Sequence, residues 1–236
     1  MQNKNNCIDY KYISSSKVKE LNNFIFIIPI GSIEQHCDAP MGLDSLIAER
    51  IAYGLCGVME NIVVMPTIYY GFSPEWNNVD GTISLNIETF SGFIKSILDS
   101  LNKINAKRIV FLNGHGGNSY ILEAVLREWI NNKTNTIILL NYWKALGINV
   151  GHSGSIERSI ARALGIQFEE SNCNGIIDFY NGASKIIING PMIGSKTYEK
   201  DKIEITQEEI LLKIKNEIIN GINFAEKIKS NSMFVL

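Results

Sequence analysis

The chain has 236 residues, enough for one substantial hydrophobic core. It is 45% hydrophobic and 19% charged, with a formal net charge of −2. That charge and the scatter of the lysines exclude an electrostatic nucleic-acid binder, and no uncharged apolar run reaches the ~18 residues of a membrane helix.

Elements follow one another from residue 24 onward. Phe24 to Ile30 reads as a buried strand, and Asp44 to about Val58 as a helix with Leu46, Ile47, Ile51 and Leu55 on one face. Ile62 to Met65 reads as a second strand, stopped by Pro66, and 67–86 as a long loop. Ile87 to Asn105 carries Phe90, Phe93, Ile94, Ile97 and Leu101 at helical spacing, which predicts a core-facing stripe. Arg108 to Leu112 is a third strand. Asn118 is placed to cap a helix running to about Asn131. Thr136 to Asn141 is a fourth strand, Ser155 to Ala163 a short helix, and Lys185 to Ile188 a strand in an otherwise unpatterned 164–205. Thr206 and Glu209 have capping-box spacing at the start of a long terminal helix ending near Lys229. Alternating strands and helices predict one α/β domain over 1–236, a mainly parallel sheet with helices on both faces. Ligands of such sheets bind beyond the carboxyl ends of the strands.

The N-terminus lacks the apolar core of a secretory signal. The four cysteines (Cys7, Cys37, Cys56, Cys173) form no CxxC pair. Free thiols in a reducing cytoplasm are the expectation.

Three segments that follow predicted strands each hold one of the three histidines, His36, His115 and His152. Glu34 and His36 stand at i and i+2, which puts two ligand types on one face of an extended segment. Asp44 opens the next helix, where the dipole favours a carboxylate. Carboxylate and imidazole together suit zinc, manganese or iron, and one bridging carboxylate would allow two ions. The turn Asn113-Gly114-His115-Gly116-Gly117-Asn118 lets the backbone approach a ligand closely and offers N–H groups to an anionic oxygen. It lacks the Lys-Ser/Thr of a P-loop and the GxGxxG pattern, which argues against nucleotide binding. Cys37 lies beside His36, but adjacent residues of an extended strand point to opposite faces, so a cysteine nucleophile is badly placed. Trp76 and Trp143 are candidates for either an aromatic substrate wall or core packing.

Four blocks, PIGSIEQH followed by GLDSLIAERIA, YYGFSPEW followed by GTISLNIETF, RIVFLNGHGGN, and HSGSIERS, occur in this order over about residues 25–160. Together they resemble the creatininase (creatinine amidohydrolase) family. The resemblance implies a compact α/β fold, a binuclear metal site and a ring-shaped homo-oligomer, often a hexamer. It implies hydrolysis by metal-activated water of a small cyclic amide or formamide, with two divalent ions per chain, zinc first and manganese or iron next. Position by position, Glu34, His36, Asp44 and His115 match the family's metal ligands, with Asp44 as the bridging carboxylate. His152 matches the acid/base histidine of the HAG-type motif, and Glu157 the glutamate that follows it, a catalytic residue or fifth ligand. Gly116, Gly117, Asn118, Trp76 and Trp143 are the expected substrate contacts.

Three departures stand out. Cys37-Asp38-Ala39-Pro40 is one residue shorter than the family's stretch. Gly117 replaces the glutamate ligand of creatininase proper. The HAG motif reads His152-Ser153-Gly154. They point away from creatinine as substrate, and leave the second metal either dependent on Glu157 or weakly bound. A formamide hydrolase of nucleotide-like substrates would want a cationic pocket, for which Lys144 and Arg158 are the nearby candidates. A non-catalytic binding or scaffold homologue is the reading from another class.

Overall fold

The computed structural model describes residues 7–131, 133–169 and 203–230. Five strands form one wholly parallel sheet in the order β1-β3-β2-β4-β5: β1 Cys7–Asp9, β2 Ile25–Ile30, β3 Ile62–Val64, β4 Arg108–Asn113 and β5 Thr136–Asn141. Burial on both faces explains why β2 and β4 read as unbroken apolar runs rather than alternating ones. Pro29 is tolerated inside central β2 because the strand has already run past its neighbour. Ile27 registers with Val64, the last residue of β3, and the Pro29 carbonyl still accepts the Ile68 N–H.

The period-2 alternation of the strands splits the core in two. Ile25, Ile27, Val64, Val110 and Leu112 face α1 (Leu43–Gly54), α4 (Tyr142–Leu146), α5 (Ser155–Ala163) and α6 (Gln207–Ser230). Phe26, Ile28, Ile30, Ile109 and Phe111 face α2 (Ile87–Lys103) and α3 (Asn118–Trp129). All these elements pack on the one sheet. Among the described residues no helix is long and apolar enough to cross a membrane. The capping box of α6 is present: the Thr206 N–H donates to Glu209 Oε2 at 2.8 Å, and the Glu209 N–H donates to Thr206 Oγ1 at 3.2 Å.

Three expectations need correction. Phe93 is 44% exposed, and Leu98 takes its place beside Phe90, Ile94 and Leu101. At 3.6 residues per turn, Phe93 lies about a quarter turn from the centre of that buried arc. Asn118 does not cap α3. Its amide instead donates to the Gly31 carbonyl and accepts the Phe72 N–H, both at 2.9 Å, tying three loops together. The predicted elements also omit a helix directly after β5, where Tyr142–Leu146 turns helically until Gly147 takes a left-handed φ of 72°. Finally, Cys7 and Cys56 are joined in a disulfide, and none of the described cysteines is free. The pairing of β1 with β3 brings Cys7 alongside Ile62, and the turn after α1 returns Cys56 to the same edge, with Cα atoms 5.3 Å apart. The thiol-based case for a reducing compartment goes with the free thiols. Cys173 and the strand expected at Lys185–Ile188 lie outside the described residues.

Candidate metal centre

The order β3-β2-β4 is a topological switch. The chain leaves β2 towards one edge through α1 and returns on the other side as β4. Crevices open beyond the carboxyl ends of strands at such points. Glu34 and His36 follow β2, Asp44 lies in the first turn of α1, and His115 follows β4. His152 and Glu157 come from the far side of α4, on a bend and on the first turn of α5. Two tight approaches bring these segments together. A Cβ at Gly114 would collide with the Asp44 carbonyl, and one at Gly117 with the Phe72 carbonyl and the His115 ring. A side chain at 117, the position where creatininase proper has a glutamate, would therefore require the Phe72 backbone or the His115 ring to move.

Glu34, His36, Asp44, His115 and Glu157 are each under 5% exposed. Their histidines share one design with His152. His36 Nδ1–H donates to the Glu34 carbonyl at 3.0 Å, leaving Nε2 3.2 Å from Asp44 Oδ1. His115 Nε2–H donates to the Phe72 carbonyl at 2.9 Å, leaving Nδ1 2.9 Å from Asp44 Oδ2 and 3.4 Å from Glu34 Oε1. His152 Nε2–H donates to the Gln35 carbonyl at 2.7 Å, leaving Nδ1 3.4 Å from Glu34 Oε1. A carbonyl only accepts, so a neutral His36 or His115 ring carries its proton on that nitrogen, and in all three rings the second nitrogen is aimed at the carboxylates. Outer partners of this kind orient metal-binding imidazoles.

The ligand atoms fall into three groups of mutual neighbours within 4.8 Å: Glu34/Asp44/His115, His36/Asp44/Glu157 and Glu34/His36/His152. Asp44 belongs to the first two, and Ser32 Oγ–H braces its Oδ2 at 2.7 Å. Glu34 Oε2 is buried without a hydrogen-bond partner among the described residues. A buried, unsatisfied carboxylate oxygen is costly unless a ligand completes it.

Electrostatics follow from this crowding. Burial pushes Glu34 up to about 7 against the pull of His115, and Glu157 up to about 8 against His36. Burial disfavours the charged rings of His36 and His115, but Asp44 and Glu34 beside them raise the two to about 9 and about 10. Burial works against Asp44 as well, yet both imidazoles hold it far below the ordinary carboxylate range. His152 is pushed down to about 3 by burial and by the neighbouring His36 charge.

A cavity of about 310 Å³ opens on this cluster. Gly116, Gly117, Trp76 and Trp143 line it, with Glu75 beside them. Asn118 does not, being turned into the loop contacts described above. Trp76 also stacks on the His152 ring, with centroids 4.5 Å apart. The N–H groups of Gly114 and His115 are taken by the Ile30 carbonyl and by Asn113 Oδ1. No lysine or arginine is among the described lining residues, and Arg158 folds instead onto Ser153. Sequence reading missed Gln35, Ser32 and Ser153. The only signal for them was their place inside the motif blocks.

The family model described as Creatininase: Creatinine amidohydrolase matches residues 11–166. The creatinine amidohydrolase of Pseudomonas putida is 27% identical over 171 residues, covering 59% of this chain and 64% of that protein, less than two thirds of its length. A 2-amino-5-formylamino-6-ribosylaminopyrimidin-4(3H)-one 5'-monophosphate deformylase of Methanococcus maripaludis is 30% identical over 168 residues, covering 69% of this chain and 70% of that one. Among solved structures, a mutant creatininase of Zn-Zn type superposes with TM-score 0.66 at 20% identity, over 94% of this chain and 97% of that one. A manganese creatininase gives TM-score 0.63 at 21% identity, over 95% and 98%. Fold, motif order and a family match over most of the chain agree, and this protein belongs to the creatininase family.

Proposed function

We propose that the protein is a metal-dependent amidohydrolase that cleaves a C–N bond of a small cyclic amide or formamide. The observation that carries this reading is the trio of imidazoles. Each is anchored by one N–H on a backbone carbonyl and turns its other nitrogen to shared carboxylates. The orphaned Glu34 Oε2 fits the same interpretation. Two divalent ions would be held by Glu34/Asp44/His115 and His36/Asp44/Glu157, with Asp44 common to both. Zinc is the first candidate, and manganese or iron suits the same donors. When bound, such ions polarise a carbonyl oxygen and lower the pKa of water.

The protein's own groups supply the rest. His152 Nδ1 faces the cluster as an unprotonated base, since burial keeps the ring neutral at pH 7. It takes a proton from the attacking water and returns it to the departing nitrogen. Gln35 holds its Nε2 and Trp76 its ring plane. Gly116 and Gly117 let the substrate approach the turn closely. Trp143 closes the wall, and the cavity's carboxylates, unopposed by lysine or arginine among the described residues, favour an uncharged or cationic amide over a phosphorylated one. A ring-shaped homo-hexamer belongs to the same reading and is tested by light scattering.

Elemental analysis of purified protein beside Glu34→Ala and His115→Ala tests the proposal. About two equivalents of Zn, Mn or Fe per chain, lost in both variants, together with turnover of cyclic amides or formamides, is the expected result. No metal after supplementation overturns it in favour of a non-catalytic homologue.

A further inference from the structure

Between His152 and α5, Ser153 is 4% exposed and adopts a φ of 54°. Non-glycine residues rarely enter this left-handed region, and they persist there when their surroundings over-determine them. Glycine would take the conformation freely, so a serine in its place implies work for the hydroxyl.

That hydroxyl and its backbone join three parts of the centre. The Ser153 N–H donates to Glu157 Oε2 at 2.6 Å. Its Oγ–H donates to the His36 carbonyl at 2.7 Å, across 117 residues of chain. The Ser153 carbonyl accepts Arg158 Nε–H at 2.9 Å, and Oγ accepts Arg158 Nη2–H at 3.2 Å. Nη2 also lies 3.9 Å from Asp38, on the turn that follows His36. Arg158 is thus a fork laid over the bend. An alanine, the residue of the HAG-type motif at this position, has no atom that reaches His36.

Ser153 therefore touches His36 and Glu157, two of the three members of one ligand group, and none of its hydrogen bonds goes to Glu34, Asp44 or His115 of the other. We propose that Ser153, braced by Arg158, is a positioning residue that sets the spacing of His36 and Glu157 and so the affinity of the His36/Asp44/Glu157 group for a divalent ion. The proposal rests on the reading that both groups hold ions.

The test is a calorimetric titration of the metal-stripped full chain with Mn²⁺, beside Ser153→Gly and Arg158→Gln. Wild type is expected to bind two ions. Ser153→Gly relieves the backbone, so its stripped form melts no lower than wild type. Its first ion binds as in wild type and its second about 10–100-fold more weakly, the scale of outer-partner losses at metal sites. Arg158→Gln shifts the second ion in the same direction by less. A Ser153→Gly chain that binds both ions like wild type overturns the positioning role alone. So does one that weakens both ions equally with a lowered melting point, which marks a general structural effect. A wild-type chain that binds no ion removes the metal reading itself, and this proposal with it.

Discussion

The two ends of the sheet are built from different chemistry. Of the buried polar residues, Ser32, Glu34, His36, Asp44, Ser45, Ser73, Asn113, His115, Asn118, Asn141, Ser153 and Glu157 all lie at or beyond the carboxyl ends of the strands. Among the described residues Asn135 alone sits at the amino end, where its amide donates to the Ala106 carbonyl at 2.8 Å. The amino end is held by covalent and structural means, the Cys7–Cys56 disulfide and an Arg108–Glu226 pair in which Nε–H and Nη2–H both donate to Glu226 Oε1, at 3.1 and 2.7 Å. Buried charge is expensive, and its confinement to one end sets the proposed site apart from the amino end. Changes at the carboxyl end should alter metal content and turnover, and changes at the amino end should alter stability alone.

The largest effect is expected at the residue common to two ligand groups. Asp44→Asn removes a shared anion, so elemental analysis should find both ions lost and turnover at background. Retention of both ions would break the assignment of Asp44 as the bridge. His152→Ala should keep its metal and lose about 10²–10⁴-fold in turnover, the range of general acid–base catalysis. Unchanged activity would remove the acid/base role of His152.

The pH dependence of the stripped protein sharpens the contrast further. Glu34 and Glu157 rise from 4.5 to about 7 and about 8, and His36 and His115 from 6.5 to about 9 and about 10. A raised folded-state value stabilises below the ordinary pKa, and that contribution is lost as pH climbs through the folded one. Thermal melts of the stripped chain should therefore fall between pH 7.5 and 9.5, a window in which Asp44 and His152 no longer titrate. The metal-loaded chain should hold or gain, because its ligands bind deprotonated. Parallel falls in both forms would contradict the metal-ligand role of these groups.

At the amino end, Cys56→Ser should cost about 2–4 kcal/mol of stability, and Asn135→Ala about 1–3 kcal/mol for the stranded Ala106 carbonyl. Denaturant melts measure both. Metal content and turnover should match wild type in each; a change in either would erase the division between the ends.

Much of this architecture was legible in the residues. Strands β2, β4 and β5 announced themselves because buried parallel strands need unbroken β-branched runs, and α2 because its apolar spacing is local. Glu34 and His36 could be paired from their i, i+2 spacing, and His115 from its glycine turn. Strand β1 was missed because Cys7-Ile8-Asp9 holds a single β-branched residue, unlike the equally short Ile62-Val63-Val64, and α4 because five residues carry too short a helical pattern.

What the sequence settled by itself is local: hydrophobic period, cap chemistry at Thr206 and Glu209, and which residue types sit just beyond strand ends. Only the tertiary structure decided which of these meet. His152 reaches Gln35, and Ser153 reaches His36, across 117 residues, because β2, β4 and β5 lie side by side and α4 folds back over their carboxyl ends. The Cys7–Cys56 bond depends in the same way on β1 joining the far edge of β3. Such contacts are set by strand order, and strand order comes from how whole faces bury against one another, which no short window of residues encodes.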